Sequence, residues 1–413
     1  MALKLMQVTA PDVVLDLIDQ HFQPLPAETV ELKLAGGRCL AEAVVAPEDV
    51  PGFTRSTVDG YAVAAADTFG AQEGMPALLE SRGEVLMGQQ APAINRGQCL
   101  LVHTGGMLPA GADAVVMIED TEAIGDAAAT VQIFRQVAPG ENVIHKGEDL
   151  TRGDIVFTPG TCLRAPELGV LASLGITRVK VYRAPVIGLF STGDELVPCE
   201  TRELPPGRIR DSNAIALAYL AHQAGAEVIH GGILNDSYPV FLEKTRALLP
   251  RVDCLVLSGG SSVGTRDFTA QVMRELGDPG LLVEGISIQP GKPTLLASCG
   301  GKPVLGLPGH PVSALLIFSL FGIAILNRLT GRARRRYQHT VKAVLARNIA
   351  SRAGRIDYVR VKLEEDGTGL KAIPVFGRSG MLRTLAEADG LIAVPAEKEG
   401  LLQGESVEVL LWE

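Results

Sequence analysis

The sequence predicts a multidomain protein of mixed α/β and β class, centred on a doubly wound, mostly parallel sheet. Three observations predict it. Between about residues 178 and 330, short apolar runs alternate with helix-period segments, as a parallel sheet with crossover helices requires. The stretches on either side are rich in Gly, Pro and brief alternating runs, which read as small β-domains. A length of 413 residues allows two to four folding units.

Taken in order, residues 11–21 and 165–175 have amphipathic helical spacing and predict a discontinuous helical region, formed from residues 1–50 and 141–177. Between them, 51–140 forms a small β-domain with strands near 99–103 and 114–118. The α/β domain, 178–330, has strands at 186–190, 227–234, 253–257 and 303–307. Its helices fall at 212–224, 239–249, 268–276 and 311–329. Residues 331–413 then form a C-terminal β-barrel or sheet, with strands near 340–346, 357–363, 391–394 and 405–411.

Composition narrows the function. Hydrophobic residues make up 46% and charged residues 21% of the chain, too apolar for a disordered protein. With 47 acidic against 38 basic side chains and a net charge of −9, no general electrostatic grip on nucleic acid is expected. The six cysteines stand singly without a C-x-x-C pair, so neither a zinc site nor a disulfide framework is expected, and a reducing cytoplasm fits. No signal peptide is expected at the N-terminus. The apolar run Pro311–Leu326 is sixteen residues, shorter than the roughly 20 that span a bilayer, and predicts a buried core helix and no membrane association.

Four loops follow the predicted parallel strands: Ser191-Thr192-Gly193-Asp194-Glu195, Leu234-Asn235-Asp236-Ser237, Ser258-Gly259-Gly260-Ser261-Ser262-Val263-Gly264, and Gly306-Leu307-Pro308-Gly309-His310-Pro311. Such loops meet outside the carboxyl ends of the sheet, where α/β proteins bind ligands. Glycine amides and a helix N-terminus suit an oxyanion there. Glu195, Asp236 and Asp267 offer the oxygen ligands Mg²⁺ prefers, and Lys292 offers a cation for phosphate. Asp236 is alternatively a plain helix cap. Residues 260–264 match G-x-S-x-G, but Gly264, Thr265 and Asp267 predict a helix starting only near Asp267, too late for a nucleophile elbow. Gly285 to Lys292 is one residue too long for a P-loop and is followed by Pro293. No histidine pair has ligand spacing, and Lys146 to Asp149 reads as a solvated turn.

Eight blocks resemble, in order, the molybdopterin molybdenumtransferase (MoeA) family and the C-terminal domain of gephyrin. They are V-D-G-Y-A at 58–62, H-T-G at 103–105, G-E-D at 147–149, S-T-G-D-E-L at 191–196, D-S-N at 211–213, S-G-G-S-S-V-G at 258–264, P-G-K-P at 290–293 and G-L-P-G-x-P-V-S at 306–313. The resemblance implies a MogA-like α/β domain and a homodimer. It also implies Mg²⁺-dependent insertion of molybdate into adenylylated molybdopterin with release of AMP. The β-domain of the partner would face the cleft, and a molybdopterin adenylyltransferase and recipient molybdoenzymes are implied partners. By position it implies Asp59, Thr104, Glu195, Asp236 and Asp267 as catalytic residues, the last three also holding the metal. Binding residues would be Ser191, Thr192, Gly193, Ser258, Gly259, Gly260, Lys292, Pro308, Gly309 and, from the barrel, Arg360 and Ser379. Two positions depart from the family: His310 replaces an Asn, with its side chain expected to cap the helix, and Gln289 replaces a basic residue. A molybdopterin adenylyltransferase, a tungstate-inserting paralogue and a non-catalytic scaffold are the alternatives.

Overall fold

A computed structural model describes residues 8–125, 129–259, 263–332, 340–367 and 369–412, with the side chains of 263–267 and 366 outside the description. The chain forms two compact units. One comprises 1–42, 159–168 and 178–413; the other comprises 43–158 and 169–177.

In the first unit, the central six-stranded sheet runs Glu227–Leu234, Val186–Thr192, Cys254–Gly259, Lys302–Leu307, Leu295–Cys299, Pro279–Glu284. The first four strands are parallel and are those the sequence predicts; the last two are antiparallel additions. Alternation along each strand sends side chains to opposite faces. Ile187, Leu189, Val256, Leu305 and Leu307 join one core beneath the helices Asn213–Gln223 and 311–329. Phe190, Leu255, Leu257 and Val304 join another beneath Tyr238–Leu248 and Val263–Glu275. Each such fully buried aliphatic side chain stabilises by about 1.5–3 kcal/mol, so both faces need their helices.

The apolar helix extends from Pro311 to Leu329, with a π-helical turn at Phe318–Gly322. At 19 residues it is long and apolar enough to cross a membrane, so the length argument made from the sequence fails. What makes it a core helix is contact: 61% of its most apolar stretch is buried inside the protein, with Ala314, Ile317, Phe318, Phe321 and Ile325 packed among Val14, Ile18 and Phe22 of the helix region Pro11–His21.

A second correction concerns Val263–Glu275. The helix starts at Val263, directly after Ser262, and not near Asp267. Thr265 and Asp267 therefore lie within its first turns, and the delayed start invoked against a nucleophile elbow does not exist.

The carboxyl-terminal strands Thr340–Leu345, Ile356–Asp366, Gly369–Pro374, Gly390–Val394 and Ser406–Leu411 close into a five-stranded barrel, because Ile356–Asp366 pairs with both Gly369–Pro374 and Gly390–Val394. In the second unit, a six-stranded sheet is ordered Ala114–Met117, Gly60–Val63, Gln98–Val102, Ala77–Glu84, Thr130–Ile133, Thr121–Ile124.

Candidate functional site

Within the parallel part of the sheet, Val186–Thr192 lies between the second and third strands in chain order. Its connection to Glu227–Leu234 goes to one side, and the chain then returns to place Cys254–Gly259 on the other. Loops part at such a reversal and leave a crevice between the carboxyl ends of the two strands. The final register pairs there are Ser191↔Ser258 and Thr192↔Gly259. The predicted residues Ser191, Thr192, Gly193, Ser258 and Gly259 thus share one point of the rim.

The polar groups at this point are incompletely satisfied. Ser191 and Thr192 are each 2% exposed, and neither hydroxyl has a hydrogen-bond partner. Asn213, on the first turn of its helix, donates from Nδ2 to Ser258 Oγ and to the Gly309 carbonyl, both at 3.0 Å. Its Oδ1 is buried and unpartnered. A buried polar atom without a partner costs about 1–3 kcal/mol, and three of them at one crevice mark a place suited to a polar ligand. Gly259 keeps the crevice tight: its φ is +133°, and a Cβ there would lie 2.1 Å from the Thr192 carbonyl oxygen.

The carboxylates stand beside this point. Gly193 N–H donates to the Leu234 carbonyl at 3.1 Å, joining the first and second loops. Asp194 Oδ1 accepts the Asp236 N–H at 3.2 Å, and the exposed Glu195 carboxylate folds over Gly193. Asp236 does not occupy the cap of the next helix, whose N-cap is Ser237. Among the described residues no three His, Cys, Asp or Glu side chains form a group able to hold a metal. The expected Glu195–Asp236–Asp267 set includes Asp267, whose side chain lies outside the description, as does Gly260.

Lys292 is exposed, on the turn before Leu295–Cys299. Leu295 pairs with Gly306, so this antiparallel strand begins where Lys302–Leu307 ends, and Lys292 joins the same rim as Pro308 and Gly309. His310 does stand at the N-cap of the following helix, but its side chain makes no cap bond. Its Nδ1 instead lies 3.1 Å from Ser379 Oγ, and Val312 N–H donates to the Ser379 carbonyl at 3.1 Å. Arg360 is buried in the barrel, donating to Thr384 Oγ1 at 2.5 Å and to the Gly377 carbonyl at 2.7 Å. Burial pushes its pKa down. Arg360 therefore braces the loop that presents Ser379 and does not itself project from the rim.

In the second unit, Asp59 Oδ1 accepts the Thr104 N–H at 2.7 Å and the Thr104 hydroxyl at 3.2 Å. These bonds, with smaller help from His103, hold the Asp59 carboxyl below the usual carboxylate range. His103 lies 2.8 Å from Glu84 through Nε2 and 3.6 Å from Asp59 through Nδ1. The hydrogen bond to Glu84 pushes its pKa up. Gly60, next to Asp59, admits no side chain, since a Cβ would lie 1.9 Å from the Val116 carbonyl oxygen.

Sequence reasoning missed Asn213, Asp194 and His103 as site residues. All three lie in quoted blocks, D-S-N, S-T-G-D-E-L and H-T-G, yet only folding reveals that Asn213 bridges the third and fourth loops. A groove of about 1000 Å³ in the first unit, lined by Leu15, Leu320, Ala324 and Trp412 among others, contains none of the predicted site residues.

A doubly wound sheet with a polar crevice at its reversal, followed by a small barrel, defines an α/β protein of the class that binds its ligand at the carboxyl ends of parallel strands. Residues 9–175 match the MoeA N-terminal region, 188–328 a probable molybdopterin binding domain, and 342–412 the MoeA C-terminal region. The molybdopterin molybdenumtransferase of Nostoc sp. is 33% identical, covering 97% of this chain and 92% of its own. That of Staphylococcus epidermidis is 30% identical, covering 98% and 96%. The crystal structure of the molybdopterin biosynthesis MoeA protein from Pyrococcus horikoshii OT3 is 31% identical with a TM-score of 0.85, over 98% of this chain and all of that one. The chain belongs to the MoeA family.

Proposed function

We propose that this protein is a molybdopterin molybdenumtransferase of the cytoplasm, which inserts molybdate into adenylylated molybdopterin with Mg²⁺-dependent release of AMP. The observation that carries this reading is the crevice between Thr192 and Gly259. The Ser191 and Thr192 hydroxyls can donate to phosphate or ring acceptors, while Asn213 Oδ1 requires a donor, such as a pterin or sugar group. A ligand offering both kinds of group would satisfy all three. The helix beginning at Val263 adds its N-terminal dipole, and Lys292 a mobile cation, toward a diphosphate.

The donors at the rim fit Mg²⁺. Glu195 and Asp236 offer carboxylate oxygens beside the crevice, and Mg²⁺ is commonly held by one or two carboxylates, with substrate phosphates and water completing the shell. Glu195, Asp236 and Asp267 would hold it, with Asp194 fixing the Asp236 loop. Bound there, the ion supplies charge stabilisation on the cleaved phosphoanhydride. Gly193, Ser258, Gly259, Pro308 and Gly309 would shape the backbone around the ligand, and the family resemblance adds Gly260. Ser379 reaches it by way of His310, and Arg360 positions Ser379. Asp59 and Thr104, from the partner subunit of a homodimer, would place molybdate or the dithiolene. A four-part division at 1–50 with 141–177, 51–140, 178–330 and 331–413 accompanies this reading, and limited proteolysis should cut near 178 and 331.

The decisive experiment supplies purified protein with adenylylated molybdopterin, molybdate and Mg²⁺, and follows AMP release and reconstitution of an apo-molybdoenzyme. AMP release above the protein-free background that is abolished by chelation supports the reading; no release sinks it. ATP consumption dependent on metal-free molybdopterin would mark an adenylyltransferase instead. Tungstate titrated in parallel with molybdate fixes the metal preference.

A further inference from the structure

Cys39 and Cys162, unlinked in the sequence by any motif, face each other across an isolated antiparallel bridge. The flanking bonds define the type of pair. Leu40 N–H donates to the Thr161 carbonyl at 2.9 Å and Leu163 N–H to the Arg38 carbonyl at 2.8 Å. The two cysteines thus occupy a non-hydrogen-bonded position, where opposed Cα atoms lie about 4.5 Å apart with side chains close together. That spacing falls within the roughly 4.4–6.8 Å a disulfide spans. The neighbouring Cys162 thiol, and then burial, push the Cys39 thiol up.

A cation attends the pair. Arg332 Nη2 lies 3.3 Å from Cys162 Sγ and 3.3 Å from the Gly37 carbonyl, while its buried Nε has no partner. A guanidinium beside a sulfur favours the thiolate. Cys162 is part-exposed whereas Cys39 is buried, so the two thiols differ in role as well as in setting. A cavity of about 260 Å³, lined by Cys39, Arg332, Tyr182 and His222, adjoins the Cys39 side of the bridge.

We propose that Cys39 and Cys162 form a reversible redox-modification site that reacts with low-molecular-weight disulfides of the glutathione class. The Cys162 thiolate attacks one sulfur of the small disulfide, forming a mixed disulfide and expelling one thiolate. The Cys39 thiol then attacks Cys162 Sγ, its proton passing to the departing sulfur, so that the second small thiol is expelled. The protein dithiol is oxidised, one small disulfide is reduced, and two small thiols leave. The link fastens the strand from which the chain departs for the 43–158 unit to the strand on which it returns.

The test exposes the full-length protein to glutathione disulfide and maps the cysteines by mass spectrometry, with the exposed Cys199 as internal reference. The expected product is a Cys39–Cys162 crosslinked peptide pair, reversed by dithiothreitol. C39S should instead accumulate glutathione on Cys162. R332Q should slow crosslinking about threefold per unit rise in the Cys162 pKa, since a tenfold smaller thiolate fraction is partly offset by higher nucleophilicity. Modification of Cys199 while Cys39 and Cys162 both remain thiols overturns the proposal, as does crosslinking of either to another cysteine.

Discussion

The crevice of the α/β sheet and the Asp59–Thr104 loops of the inserted unit treat their polar groups in opposite ways. At the crevice, the Ser191 and Thr192 hydroxyls and Asn213 Oδ1 are buried without partners. At the loops, Asp59 is exposed yet already accepts two bonds from Thr104 and faces His103. The first arrangement holds unmet hydrogen-bonding capacity inside the protein; the second holds a carboxylate in place and in its charged form. One leaves hydrogen-bonding capacity open to a polar ligand, while the other keeps a negative charge fixed in place.

The widest break comes from the glycines that shape each region. A Cβ at Gly60 would lie 1.9 Å from the Val116 oxygen, and one at Gly259 2.1 Å from the Thr192 oxygen. Backbone cannot yield as a flexible side chain does, so G60A and G259A are each expected to destabilise by about 3 kcal/mol or more. Urea unfolding should place the G60A loss in the inserted unit and the G259A loss in the α/β unit. Wild-type stability in either would refute the close approach.

Next in size is the charge at Asp59. If its role is a fixed carboxylate, D59N, which keeps an acceptor for Thr104, should lower the AMP release rate about a hundredfold or more with little change in the thermal midpoint. A D59N variant of normal rate would reduce Asp59 to a loop-holding residue.

Thr192 separates the two regions more finely. T192V removes an unpartnered buried hydroxyl at nearly constant shape, so the ligand-free protein should be unchanged or up to about 1 kcal/mol more stable. Affinity for the adenylylated pterin should nonetheless fall by about 1–2 kcal/mol, roughly 5- to 30-fold, in calorimetry. Destabilisation of the ligand-free protein would show that the hydroxyl is satisfied in solution.

These regions were unequally legible in the sequence. The four parallel strands and their helices were readable because apolar runs of strand length alternate with helical periods. The antiparallel strands Pro279–Glu284 and Leu295–Cys299 were not, since the first opens on Pro-Gly, the segment between them is broken by Gly and Pro, and no crossover helix joins them. The start at Val263 was hidden because Gly264 and Thr265 have the local preferences of a cap. At His310 a tertiary partner decided the matter: Ser379, 69 positions away, takes the ring nitrogen that local reasoning assigned to the helix end. The residue types of the crevice could be read from its position after the strands, but whether a hydroxyl has a partner depends on the register Thr192↔Gly259.

The smallest effect sharpens the contrast by pH. The Asp59 pKa is lowered, chiefly by the Thr104 N–H, so its contribution to stability is present above the ordinary carboxylate value near 3.9 and is lost as pH falls through the lowered folded value. The His103 pKa is raised, chiefly by Glu84, so its contribution is full below about 6.5 and is lost as pH rises through the raised folded value. The His103–Glu84 link should therefore loosen on the alkaline side of 6.5 while Asp59 remains charged throughout. An NMR titration of the His103 ring should give a midpoint above 6.5 that returns toward 6.5 in E84Q. A midpoint at or below 6.5 in the unaltered protein would remove His103 from the loop network and leave Thr104 as the main support of the Asp59 charge.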